Sequence, residues 1–133
     1  TMERKPNSFR EGVLYERSLN VDAFFVTLKK SEADYSPTTM YRDYPISPSL
    51  FHWESQSTTS EASPTGQRYI RGSSNVLIFA REQQSDEFGT SPYLFLGPAR
   101  YASHQGERPI ALTWRLEHPL PTDFFNAATV VAN

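Results

Sequence analysis

The chain has 133 residues, a formal net charge of −2 and no cysteine. That length suits one domain burying roughly two-thirds of its unfolded surface around a single core, and the missing thiols exclude a disulfide framework and thiolate zinc sites. No apolar run approaches the ~20 residues that span a bilayer, and no apolar signal core opens the chain, so a soluble, intracellular, cytoplasmic protein without a membrane partner is expected.

In chain order, the polar stretch 1–8, which begins at Thr1 rather than Met, reads as the cut edge of a longer polypeptide or an expression remnant. Residues 9–133 form the expected single domain. Residues 22–29 carry the Phe24-Phe25-Val26 run of a buried strand, and residues 31–48 are a Tyr- and Pro-rich excursion. Ser47 is placed to cap a single helical turn opened by Pro48, before a strand over residues 50–57. A short helix is expected over residues 64–71, with Ser63 as N-cap and Pro64 in the first turn, although Gly66 costs it about 1 kcal/mol relative to alanine.

The uniformly apolar stretch from Val76 to Ala80 marks a central strand over residues 75–81. A charged hairpin loop over residues 82–90 leads to a strand at 93–101, where Gly97-Pro98 calls for a bulge or a close backbone approach. Residues 106–109 turn the chain into a strand over 110–117, and Phe124 and Phe125 dock a terminal helix starting near Pro121, with Thr122 as an alternative cap. The fold class is therefore α+β and mainly β: a five- or six-stranded curved sheet or small barrel with one or two short helices.

Catalytic motifs are few. His52, His104 and His118 lie far apart, and only His52 and Glu54, alternate residues of one strand, make a local pair; a hydrogen-bonded polar face accounts for them more simply than metal ligation. There is no nucleophile elbow, no phosphate-binding loop and no cysteine nucleophile. A non-enzymatic domain with no cofactor and no metal is expected.

Binding remains. In the stretch from Phe51 to Ser60, alternation puts Phe51, Trp53 and Ser55 toward the core and His52, Glu54 and Gln56 on the opposite face. That face runs into Ser57, Thr58, Thr59 and Ser60, followed by Pro64, Gln67, Arg68, Tyr69 and Arg71. Gln reads a base edge, hydroxyls contact phosphates, aromatic rings stack on unpaired bases, and arginines hold the backbone. The alternative is that Trp53 and Tyr69 belong to the core and the Ser/Thr run is an ordinary loop. Net charge does not advertise a nucleic-acid binder; yet Arg68, Arg71, Arg100, Arg108 and Arg115 lie in the second half, so a basic face on a nearly neutral domain is compatible with the total.

Several segments carry a resemblance: Gly12-Val13-Leu14-Tyr15, Phe24-Phe25-Val26-Thr27-Leu28, Ser36-Pro37-Thr38-Thr39, the stretch from Leu50 to Ser57, Thr65-Gly66-Gln67-Arg68-Tyr69-Ile70, Phe95-Leu96-Gly97-Pro98 and Trp114 through Pro121. Together they resemble the C-terminal domain of bacterial superfamily II DNA/RNA helicases, in which a phospholipase-D-like nuclease module often precedes the motor. The strand pattern is also similar to PUA- and SRA-type barrels, several of which read modified DNA. The resemblance implies a restriction or phage-defence setting, with DNA and the helicase and nuclease modules of the same polypeptide as partners.

The function expected on this basis is non-catalytic recognition of modified DNA, either a phosphorothioate backbone or a modified base. The expected contacts are His52, Gln56, Ser57, Thr58, Thr59, Pro64, Gln67, Arg68, Tyr69, Arg71, Arg100 and Arg108. Pro64, Tyr69 and His52 suit a soft sulfur; Trp53, Gln56 and Gln67 suit a flipped base. The alternative is an interaction module that docks on the helicase or a defence partner without touching DNA.

Overall fold

The computed structural model describes residues 12–29, 43–83, 85–87 and 89–132. The expected edge at 1–8 and most of the excursion, residues 31–42, lie outside them. The elements are β1 (Val13–Glu16), β2 (Val21–Lys29), β3 (Tyr44–Ser47), β4 (Leu50–Glu54), α1 (Pro64–Arg71), β5 (Asn75–Gln83), β6 (Ser85–Asp86), β7 (Gly89–Thr90), β8 (Leu94–Gln105), β9 (Ala111–Leu116) and α2 (Thr122–Ala132). The fold is mainly β, as expected.

One seven-stranded mixed sheet has the order β1-β2-β5-β8-β9-β4-β3, and β6 and β7 make a separate two-stranded ladder. The β2–β5 pair is parallel and every other pair in the large sheet is antiparallel. The sheet is open, because β1 and β3 end it without pairing to each other. It is nonetheless curved. Helix α2 contacts β3 at one edge and also β2 and β5 toward the other; laid flat, β2 and β3 would lie roughly 24 Å apart, beyond the ~16 Å length of an 11-residue helix. The barrel alternative thus gives way to a curl around α2. Two four-residue strands, β1 and β3, raise the count above the expected five or six; four residues are too short for a period-two pattern to stand out.

The core faces α1. Phe24 stacks on Trp53 with ring centroids 4.0 Å apart and meets Tyr69 and Trp114 edge-on at 5.6 and 5.5 Å. Trp53 and Tyr69 are edge-on at 5.4 Å. These residues come from β2, β4, α1 and β9, so one aromatic knot ties four elements, and each such pair is worth ~0.5–1.5 kcal/mol beyond its buried area. Phe124 and Phe125 pack α2 against the same core, and Ala128 is fully buried.

Local chemistry explains where the elements stop. Strand β4 ends at Glu54 rather than at residue 57 because Ser55, fully buried, turns its hydroxyl to the backbone: its Oγ accepts from the Ile110 N–H at 2.8 Å and donates to the Gln56 carbonyl at 3.1 Å. Pro48 and Ser49 form the turn of the β3–β4 hairpin rather than opening a helical turn, and the Ser49 N–H donates to Ser47 Oγ. The α1 boundaries are as expected: Ser63 Oγ accepts from the Gly66 N–H at 3.0 Å, Pro64 occupies the first turn, and Gly72 ends the helix at φ 64°. Among the described residues no helix is long and apolar enough to cross a membrane.

Gly66 has a reason that propensity misses. A Cβ added there would lie 2.2 Å from the Ser60 carbonyl oxygen, which is backbone and cannot swing aside. Gly66→Ala is therefore expected to destabilise the domain by about 2 kcal/mol through overpacking, despite alanine's better helix propensity, read as a lower urea midpoint at unchanged slope.

Candidate nucleic-acid interface

The β1–β2 turn is fastened to the segment that follows α1. Asn20 adopts φ 53°, a left-handed conformation that asparagine tolerates; its Nδ2 donates to the Ser73 carbonyl at 2.7 Å and its own carbonyl accepts from the Asn75 N–H at 2.8 Å. Between this turn and α1 lies a groove of about 550 Å³. Tyr15 and Arg17 form one wall, Pro64, Gln67, Arg68 and Arg71 the other, and Ser73 one end. Helical spacing divides α1: Gly66 and Tyr69 turn to the sheet, while Pro64, Gln67 and Arg71 share the groove side.

The arginines of the groove differ in what holds them. Asp22 is fully buried and accepts from Arg68 Nε at 2.7 Å, from Arg68 Nη2 at 2.8 Å and from the Ser74 hydroxyl. The Arg68 guanidinium also sits 3.9 Å over the Tyr15 ring. Burial alone would lower the Arg68 pKa, but the hydrogen bonds and charge of Asp22, together with Tyr69 and Tyr15, carry it above the ordinary arginine value. Arg71 instead donates through Nε to Gln67 Oε1 at 2.7 Å, and Gln67 Nε2 donates to the Glu61 carbonyl at 2.7 Å. A neutral amide thus aims Arg71 without cancelling its charge. Among the described residues no carboxylate pairs with Arg17 or Arg71, so the groove keeps a positive field.

Of the expected contacts, this groove gathers Pro64, Gln67, Arg68 and Arg71. Arg68, expected to hold a backbone phosphate, is instead spent on Asp22, because a buried carboxylate must be compensated. Tyr69 is a correction as well: it is fully buried in the aromatic knot. His52 does lie on the face away from the core, half-buried, stacked on Tyr44 at 4.6 Å with its Nε2 3.8 Å from Glu54 Oε2. Gln56 Oε1 accepts from the Thr59 hydroxyl at 3.2 Å, Ser57 is half-buried, Thr58 is exposed and Thr59 is buried, so this run is a self-bonded loop. Arg100 is exposed on β8 and meets Glu117 Oε2 at 3.3 Å. Arg108 is exposed in the β8–β9 connection, where its N–H donates to the Thr59 carbonyl at 2.8 Å. Arg100 and Arg108 do not line the groove. Among the described residues no group of three or more His, Cys, Asp or Glu could hold a metal ion.

A family model described as a domain of unknown function, DUF3427, matches residues 1–128. The chain belongs to the DUF3427 family. This family is associated with helicase-containing proteins. Among curated proteins none matches the chain.

In this DUF3427 domain, sequence reasoning missed Tyr15 and Arg17, which enter the groove through the β1–β2 hairpin it did not resolve, and Ser73, which enters from the connection between α1 and β5. The available signal was Asp22, an acid at the head of an apolar strand that needs a cationic partner. Arg68→Met should therefore act on stability, costing about 3 kcal/mol by leaving Asp22 buried and uncompensated, whereas Arg71→Ala should leave the melting temperature nearly unchanged; thermal denaturation of the two variants checks the contrast.

Proposed function

We propose that this DUF3427 domain is a non-catalytic DNA-binding module that grips the phosphate backbone in the groove between the β1–β2 turn and α1. The observation that carries the reading is the pair Arg17 and Arg71, two guanidiniums without carboxylate partners among the described residues, on opposite walls of a pre-formed groove. Guanidinium forks and hydroxyls such as those of Tyr15 and Ser73 suit phosphate oxygens. The association of the family with helicase-containing proteins gives DNA as the natural polyanion. Fixed walls reduce the ordering cost of binding.

Discrimination of modified DNA follows from the same groove. Pro64 sets an apolar ring in the groove that Arg71 lines, the pairing that a phosphorothioate, soft at sulfur and anionic overall, would meet. A flipped-base pocket has less support, because Trp53, its stacking residue, is 4% exposed and stacked on Phe24. In this reading the domain steers the helicase and nuclease modules of a longer polypeptide to marked DNA.

Binding of labelled duplexes should weaken as salt rises, with log K falling ~0.9 per phosphate neutralised. Arg17→Ala and Arg71→Ala should each cost about tenfold in affinity and reduce that slope by about one. A phosphorothioate duplex should bind more tightly than unmodified or cytosine-modified duplexes, and Pro64→Ser should remove that preference. Equal affinity for all three would overturn the reader assignment; binding of a protein partner that survives high salt, with no duplex binding, would overturn DNA recognition in favour of a docking module.

A further inference from the structure

The face of the sheet turned away from α1 carries a row of aromatic rings. Phe24 packs against Tyr69 of α1, so strand alternation places Phe25 on the other face. The register then aligns Phe25 with Phe79 and Phe79 with Phe95, across β2, β5 and β8. Phe25 and Phe79 are stacked at 5.0 Å with planes 14° apart, and Phe79 and Phe95 lie 5.0 Å apart at 39°. The row ends at Phe95, which is 54% exposed.

A bulge puts that ring outside. Ile78 pairs with Gly97 but Phe79 pairs with Phe95, so Leu96 is the extra residue; it drops into the core at 6% exposure while Phe95 points outward. Gly97, at φ 102°, supplies the backbone conformation this shift needs. An arrangement that merely buried apolar groups would not leave its end ring in water.

Cationic groups accompany the row on the same face. Arg81 lies two residues beyond Phe79 on β5; its Nε donates to the Thr27 hydroxyl at 2.9 Å, its Nη1 to the Ser91 carbonyl at 3.0 Å, and its guanidinium sits 4.3 Å over the Tyr93 ring. All of these partners are uncharged, so the guanidinium is held in place with its charge uncancelled. Farther along, Arg100 and Arg115 face each other across β8 and β9. Like charges directly opposite are destabilising. Arg100 meets Glu117, but among the described residues no carboxylate pairs with Arg115. Rings flanked by fixed guanidiniums are the chemistry of single-strand binding, in which bases stack and cations take the phosphates.

We infer that the outer face of β2, β5 and β8 is a stacking platform for unpaired bases of a single-stranded nucleic acid. Phe95 receives a base against the support of Phe79, and Arg81 and Arg115 take flanking phosphates. This site shares no residue with the groove, and each stands or falls on its own substitutions.

The test is binding of a fluorescent oligothymidylate of about fifteen nucleotides, within single-strand site sizes, beside a hairpin duplex, by anisotropy. Phe95→Ala should cut affinity for the oligothymidylate about 5- to 150-fold, the range for losing one stacked base, and Phe95→Trp should restore it. Arg81→Gln should weaken single-strand binding and flatten its salt dependence. Leu94→Ala, at an exposed but non-aromatic neighbour, should leave it unchanged. Unaltered oligothymidylate binding by Phe95→Ala, or losses that are equal for Phe95→Ala and Leu94→Ala, would overturn the platform. So would a Phe95→Ala defect confined to binding the helicase segment of a parent protein, which would make the face a protein-docking surface. Failure of duplex binding alone would overturn the groove and leave the platform standing.

Discussion

The contact between Asp22 and Arg68 governs the arrangement around it. Asp22 is fully buried on β2, where an isolated carboxylate would be far costlier than the fold could bear. Two guanidinium hydrogen bonds and one hydroxyl satisfy it. They also help fix α1, which packs against β8 at a place from which Arg68 reaches across to the start of β2. Once α1 is there, Tyr69 enters the aromatic knot, Tyr15 lies beneath the guanidinium, and the β1–β2 turn comes close enough for Asn20 to bond Ser73. The groove is a by-product of neutralising one acid.

That constraint separates two kinds of arginine. Arg68 is immobile and electrically matched, so its contribution lies in holding shape. Arg71 is held through a neutral amide and Arg17 is exposed, so their fields reach the solvent. A chain with net charge −2 can therefore present a positive groove and a partly positive outer face. Distribution decides what the total hides.

The two faces of the sheet also divide the aromatic residues. Phe24, Trp53, Tyr69 and Trp114 close on one another inside, while Phe25, Phe79 and Phe95 run across the outside. Adjacent residues, Phe24 and Phe25, belong to opposite sets. Strand geometry forces this, since successive side chains alternate, and the bulge at Leu96 shifts the phase on β8 by one residue so that Phe95 joins the outer set. Among the described residues no helix packs on this outer face, where one on both sides would have buried it, and Phe95 stays 54% exposed.

Much of the fold was legible in the chain itself. The capping chemistry of Ser63 and Pro64, the apolar run from Val76 to Ala80, the docking of α2 through its phenylalanines, the interruption at Gly97 and the inward set Phe51, Trp53, Ser55 all follow from local rules of spacing and hydrogen bonding. What only the tertiary structure decided was partnership: that Arg68 belongs to an acid 46 residues away, that Tyr69 is core rather than contact, that β1 and β3 complete the sheet, and that Arg17 stands across a groove from Arg71. Those outcomes depend on which strands lie side by side, here β2 parallel to β5 across an intervening hairpin and helix. Residue type and periodicity determine how a segment folds and which face it buries; the identity of the group that meets that face is set by long-range packing, which no local pattern encodes.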